Sequence, residues 1–251
     1  MIKFNYKDVA KEQGWSFEAI NPVCEYSSDY YYYKEVAKEI TPDVVMLDIG
    51  CGSAEKAFGY YENAKKIIML DNEVEMLKKA KENCVTKLSE KNAKKFSFEL
   101  GDGTTKLNYP DETFDLVVSR HCGGNINEIF RVLKKGGVYI SEDIDHTDAL
   151  ELKEYFKRGQ GYENLKTNNI EKRKILNESF DAGFSNIELK NFYYIEYYPN
   201  KEQLKYLLTH TPILEYLDES DEKTLNSYIK DYSTEKGIKL VRRLYAFKLV
   251  K

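Results

Sequence analysis

The stretch Val45-Met46-Leu47-Asp48-Ile49-Gly50-Cys51-Gly52 decides how the rest of this chain folds. From Val44 to Ile49 it is a short, almost continuous apolar run, the pattern of a central parallel strand covered on both faces. Two glycines close the run, where a backbone without Cβ atoms can turn sharply and approach a ligand. Moving outward, Lys66 to Leu70 is a second buried strand ending at Asp71, Phe96 to Leu100 a third, Phe114 to Ser119 a fourth, and Val138 to Ser141 opens a fifth. Helical periodicity fills the intervals, in Ala54 to Asn63, Glu73 to Leu88 and Ile126 to Leu133, the last stopped by Gly136-Gly137. This alternation predicts right-handed crossovers and an α/β fold with a doubly wound, mostly parallel sheet.

The flanks extend that plan. Asp29 to Ile40 carries Tyr30, Tyr33, Val36, Ala37 and Ile40 at helical spacing and is followed by Pro42, so a helix precedes the sheet. Near the other end, Asn186 to Tyr198 alternates as a long strand, and Asn200 to Glu235 is helical apart from Pro212. Lys239 to Lys251 is a further strand with no crossover helix after it, which predicts an antiparallel last strand in a sheet of about seven. A single domain is expected over residues 1–251. It divides into an N-terminal helical cap (1–42), a ligand-binding core (43–185) and terminal strands (186–251) that carry a helical lid at 200–235.

Composition narrows the function. Hydrophobic residues are 42% of 251, enough for one core, and 42 acidic against 38 basic residues give a net charge of −4. Nothing global attracts the chain to nucleic acid or anionic lipid. The longest apolar runs fall far short of the roughly 20 residues that span a bilayer. The N-terminus has neither a secretory core nor a transit pattern, so a cytoplasmic protein is expected. Cys24, Cys51, Cys84 and Cys122 form no CxxC pair, and neither a metal site nor a disulfide framework is expected.

In open α/β sheets ligands bind beyond the carboxyl ends of the strands, and the residues there converge on a nucleoside. The glycine turn at Gly50 to Gly52 comes first, and Asp71 follows Gly52 by the separation suited to accepting hydrogen bonds from ribose hydroxyls. Asp102, within Gly101-Asp102-Gly103, can accept from an exocyclic amine such as that of adenine. A dinucleotide fold would place a third glycine at position 55. Glu55 stands there instead, and a carboxylate at a helix start repels a pyrophosphate. Asp48 suits a positive head group. Adenine, ribose and an ammonium group without phosphate describe S-adenosylmethionine.

The chain here resembles the class I S-adenosylmethionine-dependent methyltransferases, in particular the small methyltransferase-domain branch with a helix before the sheet. The resemblance covers roughly Asp29 to Ser141. Val45 to Gly52 is similar to the family's first motif, Met69-Leu70-Asp71-Asn72 to its ribose-binding acid, and Gly101-Asp102-Gly103 to its adenine motif. Phe114 to Ser119 with Glu128 to Gly137 is similar to its later strand and turn. The resemblance implies a Rossmann-like fold and S-adenosyl-L-methionine as cofactor, leaving S-adenosyl-L-homocysteine. As cofactor-binding residues it implies Asp48, Gly50, Cys51, Gly52, Asp71, Asn72, Asp102 and Gly103, joined by Arg120 and Tyr26. Two departures stand out. Ala54 replaces the motif's usual third glycine, and Arg120-His121-Cys122-Gly123-Gly124-Asn125 replaces the Asn-Pro-Pro-Tyr type tetrapeptide of enzymes that methylate base amines.

A sulfonium methyl is already activated, so such an enzyme chiefly aligns an acceptor and excludes water. His121, just beyond the fourth strand, is the candidate catalytic residue, able as neutral imidazole to take a proton from a hydroxyl or amine. Tyr30 and Tyr33 are assigned to packing. This leaves Tyr31, Tyr32 and His121 to line an acceptor pocket. The lid carries eight acidic against four basic residues, and the lysines between Lys78 and Lys95 lie on the outer face of a crossover helix. The expected acceptor is therefore a small molecule methylated on oxygen or nitrogen, bound by a monomer or homodimer. Two alternatives remain at this point. One is an rRNA or tRNA base methyltransferase, suggested by Leu207-Leu208-Thr209-His210-Thr211-Pro212, and the other is a non-catalytic S-adenosylmethionine-binding module.

Overall fold

The computed structural model describes residues 2–3, 17, 19–167 and 171–251. Among the described residues nine strands form the main sheet, more than the seven or so expected, and the eight longer ones are β1 (Val23–Tyr26), β2 (Val45–Ile49), β3 (Lys66–Asp71), β4 (Phe96–Leu100), β5 (Phe114–Arg120), β6 (Leu133–Ile144), β7 (Asn186–Tyr198) and β8 (Gly237–Val250). Their spatial order is β1-β7-β8-β6-β5-β2-β3-β4, and the short Ser233–Thr234 strand pairs with the start of β8. Strands β2 to β6 are mutually parallel, while β8 runs antiparallel to β6 and β7, and β1 antiparallel to β7. The expected α/β, doubly wound, mostly parallel sheet with an antiparallel last strand is thus present.

Each face of the sheet is covered because its central strands are apolar on both sides. On one face α1 (Tyr32–Lys38), α2 (Phe58–Tyr61) and α3 (Val74–Lys87) pack Val36, Phe58, Ala80 and Cys84 onto Met46, Met69 and Val118. On the other, α4 (Ile126–Val132) and α5 (Glu171–Ala182) cover Leu47, Val117, Tyr139 and Phe247. A third cluster unites α6 (Leu150–Phe156), α7 (Lys201–His210) and α8 (Glu222–Tyr232) with Tyr198 and Leu240. Asn200 begins α7 by accepting the Gln203 N–H at 2.9 Å, so the stretch expected to be helical before Pro212 has a built start. After Pro212 the chain becomes extended at Tyr216–Leu217, paired with Ile2–Lys3, before helix resumes.

Three local expectations differ from the structure. Residues 1–42 were expected as a helical cap, but Val23–Tyr26 joins the sheet as an edge strand, because Cys24 and Tyr26 can face one side and Val23 and Glu25 the other. Residues 1 and 4–16 lie outside the described residues. The first helix starts at Tyr32, not Asp29, after an extended Tyr31. The helix expected from Ala54 starts only at Phe58, since Ala54 itself has φ +52°, outside the helical region.

Between β7, β8 and the loop after β6 lies a nearly dry ion network. The Arg242 guanidinium, 11% exposed, donates from Nε to Asp148 at 3.0 Å and from Nη1 to Glu196 at 3.3 Å, and Glu196 also accepts from the Tyr198 hydroxyl. Removing the one cation leaves two carboxylates short of partners, which costs about 3–5 kcal/mol for a buried pair. Arg242→Met is therefore expected to lower the free energy of urea unfolding by that amount, read as a lower midpoint with an unchanged denaturant slope.

Candidate active site

The chain reverses its winding at β2: β3 and β4 lie to one side, β5 and β6 to the other. The crevice at this switch point is where the sequence-predicted residues gather. Gly50 and Cys51 donate their N–H groups to the Leu70 carbonyl at 2.8 and 3.1 Å. Asp71 then fixes the turn, Oδ2 accepting the Gly52 N–H at 2.8 Å and Oδ1 the Glu73 N–H at 2.9 Å. Gly50 needs to be glycine twice over, because its φ is +67° and a Cβ there would lie 2.4 Å from Cys122 Sγ. Gly52, at φ +55°, opens onto free space. Ala54 holds a left-handed backbone at a cost of about 1–2 kcal/mol, strain of the kind that collects at ligand loops.

Asp48 sits at the floor, 6% exposed. Burial pushes its carboxyl up to about 8, against the Tyr61 phenol, which holds it down, and beside Asp71, which raises it further. Yet the Tyr61 hydroxyl lacks a well-formed hydrogen bond, and so do those of Tyr30 and Tyr32, all three buried. Burial also raises Asp71, opposed by the backbone N–H groups that it accepts. Asn72 beside it is exposed. Further along, Asp102 is exposed and held below the usual carboxylate range by the Thr104 hydroxyl and N–H, both bonded to Oδ1 at 2.6 and 2.8 Å. Gly103 packs so closely that a Cβ would lie 2.1 Å from Ile49 Cγ2.

Across the crevice, β5 ends in a charged pair. Arg120 donates from Nε to Glu142 Oε1 at 2.7 Å, with its guanidinium over the rings of Tyr32 and Tyr33 at 5.9 and 5.7 Å. His121 follows in a left-handed conformation, φ +57°, with its N–H on the Glu142 carbonyl and Nε2 3.3 Å from Glu142 Oε1. A third of its side chain touches solvent, but the ring lies in a recess. Desolvation, then Arg120, lowers its pKa against the pull of Glu142. Burial alone would raise Glu142, but His121 and Arg120 hold it low. An ionised Glu142 facing Nε2 assigns the proton of a neutral His121 to that nitrogen and leaves Nδ1 basic. Cys122 donates to the Ile49 carbonyl at 3.0 Å, and burial pushes its thiol up, so it is a spacer and not a nucleophile.

The structure thus brings together Asp48, Gly50, Cys51, Gly52, Asp71, Arg120 and His121, with Asp102 and Gly103 on the neighbouring loop. Tyr32 joins them from the core, 2% exposed, and Tyr31 is half-exposed against Tyr60. Tyr26 lies at the margin, 68% exposed on β1 and packed on Tyr194, with its charge felt by Tyr31. Sequence reasoning missed Glu142 and Tyr61. Glu142 is the cross-strand partner of Arg120, a pairing legible only once the register of β5 and β6 is known.

These residues fit S-adenosyl-L-methionine. A buried carboxylate with orphaned phenols around it suits an ammonium group, the open face of Gly52 leaves room for a backbone-hugging ligand, and Asp71 keeps lone pairs for hydroxyls. Without ligand, Asp48 is a liability. Its folded pKa lies above the unfolded 3.8, so stability present at low pH is lost as pH rises toward about 8. Asp48→Asn is expected to raise the thermal midpoint of the ligand-free protein by several degrees at pH 8, with the gap closing near pH 4.

Comparison with known proteins agrees with this geometry. The sequence model of the Methyltransferase domain family matches residues 40–209. Among solved structures, the YcgJ protein of Bacillus subtilis superposes with a TM-score of 0.61 at 16% identity, over 88% of this chain and 97% of that one. A Bacillus halodurans protein gives 0.61 at 18%, over 87% and 96%, and a functionally unknown protein of Deinococcus radiodurans 0.56 at 15%, over 97% of both. At such identities the likeness is one of fold. No curated protein matches the sequence. The family match covers well over half the chain, and the protein belongs to the Methyltransferase domain family of S-adenosyl-L-methionine-dependent enzymes.

Proposed function

We propose that this enzyme methylates an oxygen or nitrogen of a small-molecule acceptor. The observation that carries the reading is the sign of the charge around the crevice. Glu142, Asp143, Asp145 and Asp148 crowd the end of β6 and the turn after it, and the cations among them, Arg120, Lys172 and Arg242, are already engaged by these carboxylates. A polyanion would have to compete with those carboxylates for each cation. No helix among the described residues is long and apolar enough to cross a membrane.

S-adenosyl-L-methionine, when bound, supplies a methyl group already activated on a sulfonium. The chain's part is to hold and exclude. Asp71 would accept from the ribose hydroxyls, Asp102 from the adenine amine, and Asp48 with Tyr32 and Tyr61 would surround the ammonium group. His121, kept neutral by desolvation and the neighbouring Arg120 and oriented by Glu142, would receive the proton the acceptor loses, a contribution of about 10²–10⁴ in rate. Arg120, committed to Glu142 through Nε, fixes that carboxylate in place.

Calorimetric titration with S-adenosylmethionine and S-adenosylhomocysteine, followed by turnover on a metabolite extract and on bulk RNA, tests the reading. S-adenosylhomocysteine should form with the small-molecule pool, and formation with RNA alone would overturn the assignment. Asp71→Ala is expected to weaken cofactor binding about tenfold or more, a lost hydrogen bond to a charged group. His121→Ala should lower kcat by roughly a hundredfold or more with cofactor affinity unchanged.

A further inference from the structure

Most carboxylates at the carboxyl end of the sheet are spoken for. Glu142 is held by Arg120 and His121, Asp145 by Lys172 and Thr147, and Asp148 by Arg242. Further out, Glu151 is paired with Arg243 and Glu196 with Arg242. Asp143 stands apart. It is half-buried and, among the described residues, no side chain donates to it; its only close donor is the backbone N–H of Ile144.

Its position makes this notable. Tyr139, Ser141 and Asp143 alternate onto the same face of β6, and Asp143 pairs in register with Tyr245 of β8. The Tyr139 hydroxyl is already satisfied by Ser119 at 2.7 Å, so it cannot serve the carboxylate. Asp143 lies one register step beyond the Arg120–Glu142 pair, on the opposite face of β6 from Glu142, and the Cys122 thiol feels its charge, which sets it beside the turn that carries His121. Burial first, then the charges of Glu142 and Glu171, push its carboxyl up to about 7. The cation next nearest, Lys172 over the Tyr245 ring, is committed to Asp145. An uncompensated carboxylate in such surroundings is costly unless a ligand completes it.

We propose that Asp143 is the specificity residue of the acceptor subsite, and that the acceptor is a cationic amine whose ammonium group Asp143 binds. This rests on the methyl-transfer reading above. Asp143 takes no part in bond making here. It fixes the acceptor, and its own charge disfavours anionic analogues of the same shape.

The test separates a metabolite extract at pH 7 into fractions retained by a cation exchanger, retained by an anion exchanger and retained by neither. Each fraction is assayed for S-adenosylhomocysteine formation. Turnover is expected in the cationic fraction. Asp143→Asn should lower kcat/KM on it at least tenfold through KM, with S-adenosylmethionine affinity unchanged, and Asp143→Glu should recover part of it. The same Asp143→Asn variant should also raise the thermal midpoint of the ligand-free protein at pH 8, the gap vanishing near pH 4, because an acid whose pKa is raised on folding loses stability as pH rises. Turnover confined to the neutral or anionic fraction, or a lowered midpoint at pH 8, would overturn the assignment of Asp143 alone. Cofactor binding without turnover in any fraction would overturn the methyl-transfer reading, and this inference with it.

Discussion

The close approach of the β2 turn to the end of β5 is the constraint on which the site depends. With only a hydrogen at Gly50 Cα, Cys122 can reach the Ile49 carbonyl, and the two loops that flank the switch point are welded together. Asp71 adds a second weld by holding the Gly52 N–H. Gly103 adds a third, seated on Ile49 and accepting from the Asn125 N–H through its carbonyl. Four strand-end loops therefore move as one body, and the catalytic geometry is set by backbone contacts more than by side-chain packing. That is the preorganisation a group-transfer site needs, since misplacement by an ångström costs orders of magnitude in rate.

Electrostatics divides the crevice into two halves. On the side of the glycine turn, Asp48 and Asp71 are both raised by burial, so the ligand-free crevice stores unfavourable charge that a cation would relieve. On the side of β5, Arg120 and His121 share one carboxylate, Glu142, which orients the imidazole while desolvation and Arg120 lower its pKa. Tyrosine serves both halves. Tyr32 presents an orphaned hydroxyl near Asp48 and a ring under Arg120, so one residue, placed by the first turn of α1, bridges the two sides.

The strands and glycine turn were legible because parallel, doubly covered strands have to be continuously apolar and a turn beside a ligand has to lack Cβ atoms. Val45 to Ile49, Lys66 to Asp71 and Phe114 to Arg120 follow that logic within a residue. The acid after each strand was legible for the same reason, as Asp48, Asp71 and Asp102 occupy strand ends where few other roles exist. What escaped was anything set by register between distant segments. Glu142 meets Arg120 across two strands, and Tyr61 meets Asp48 through a helix that starts late because Ala54 bends the other way. The strand Val23–Tyr26 escaped because an edge strand of four residues carries no periodicity that distinguishes it from a turn.

The route from β1 to α1 is pinned along its way. Ser27 is bonded to the Tyr193 carbonyl on β7, Tyr30 packs on Phe192, and Tyr32 already reaches the crevice. Between these anchors the chain bends at residues 27–29. A segment anchored at both ends transmits displacement. Lifting its inner end to admit a ligand would load the four-residue pairing at the outer edge, so the rate at which the crevice opens would be set by strand fraying at the far margin of the sheet, well away from any residue that touches the ligand.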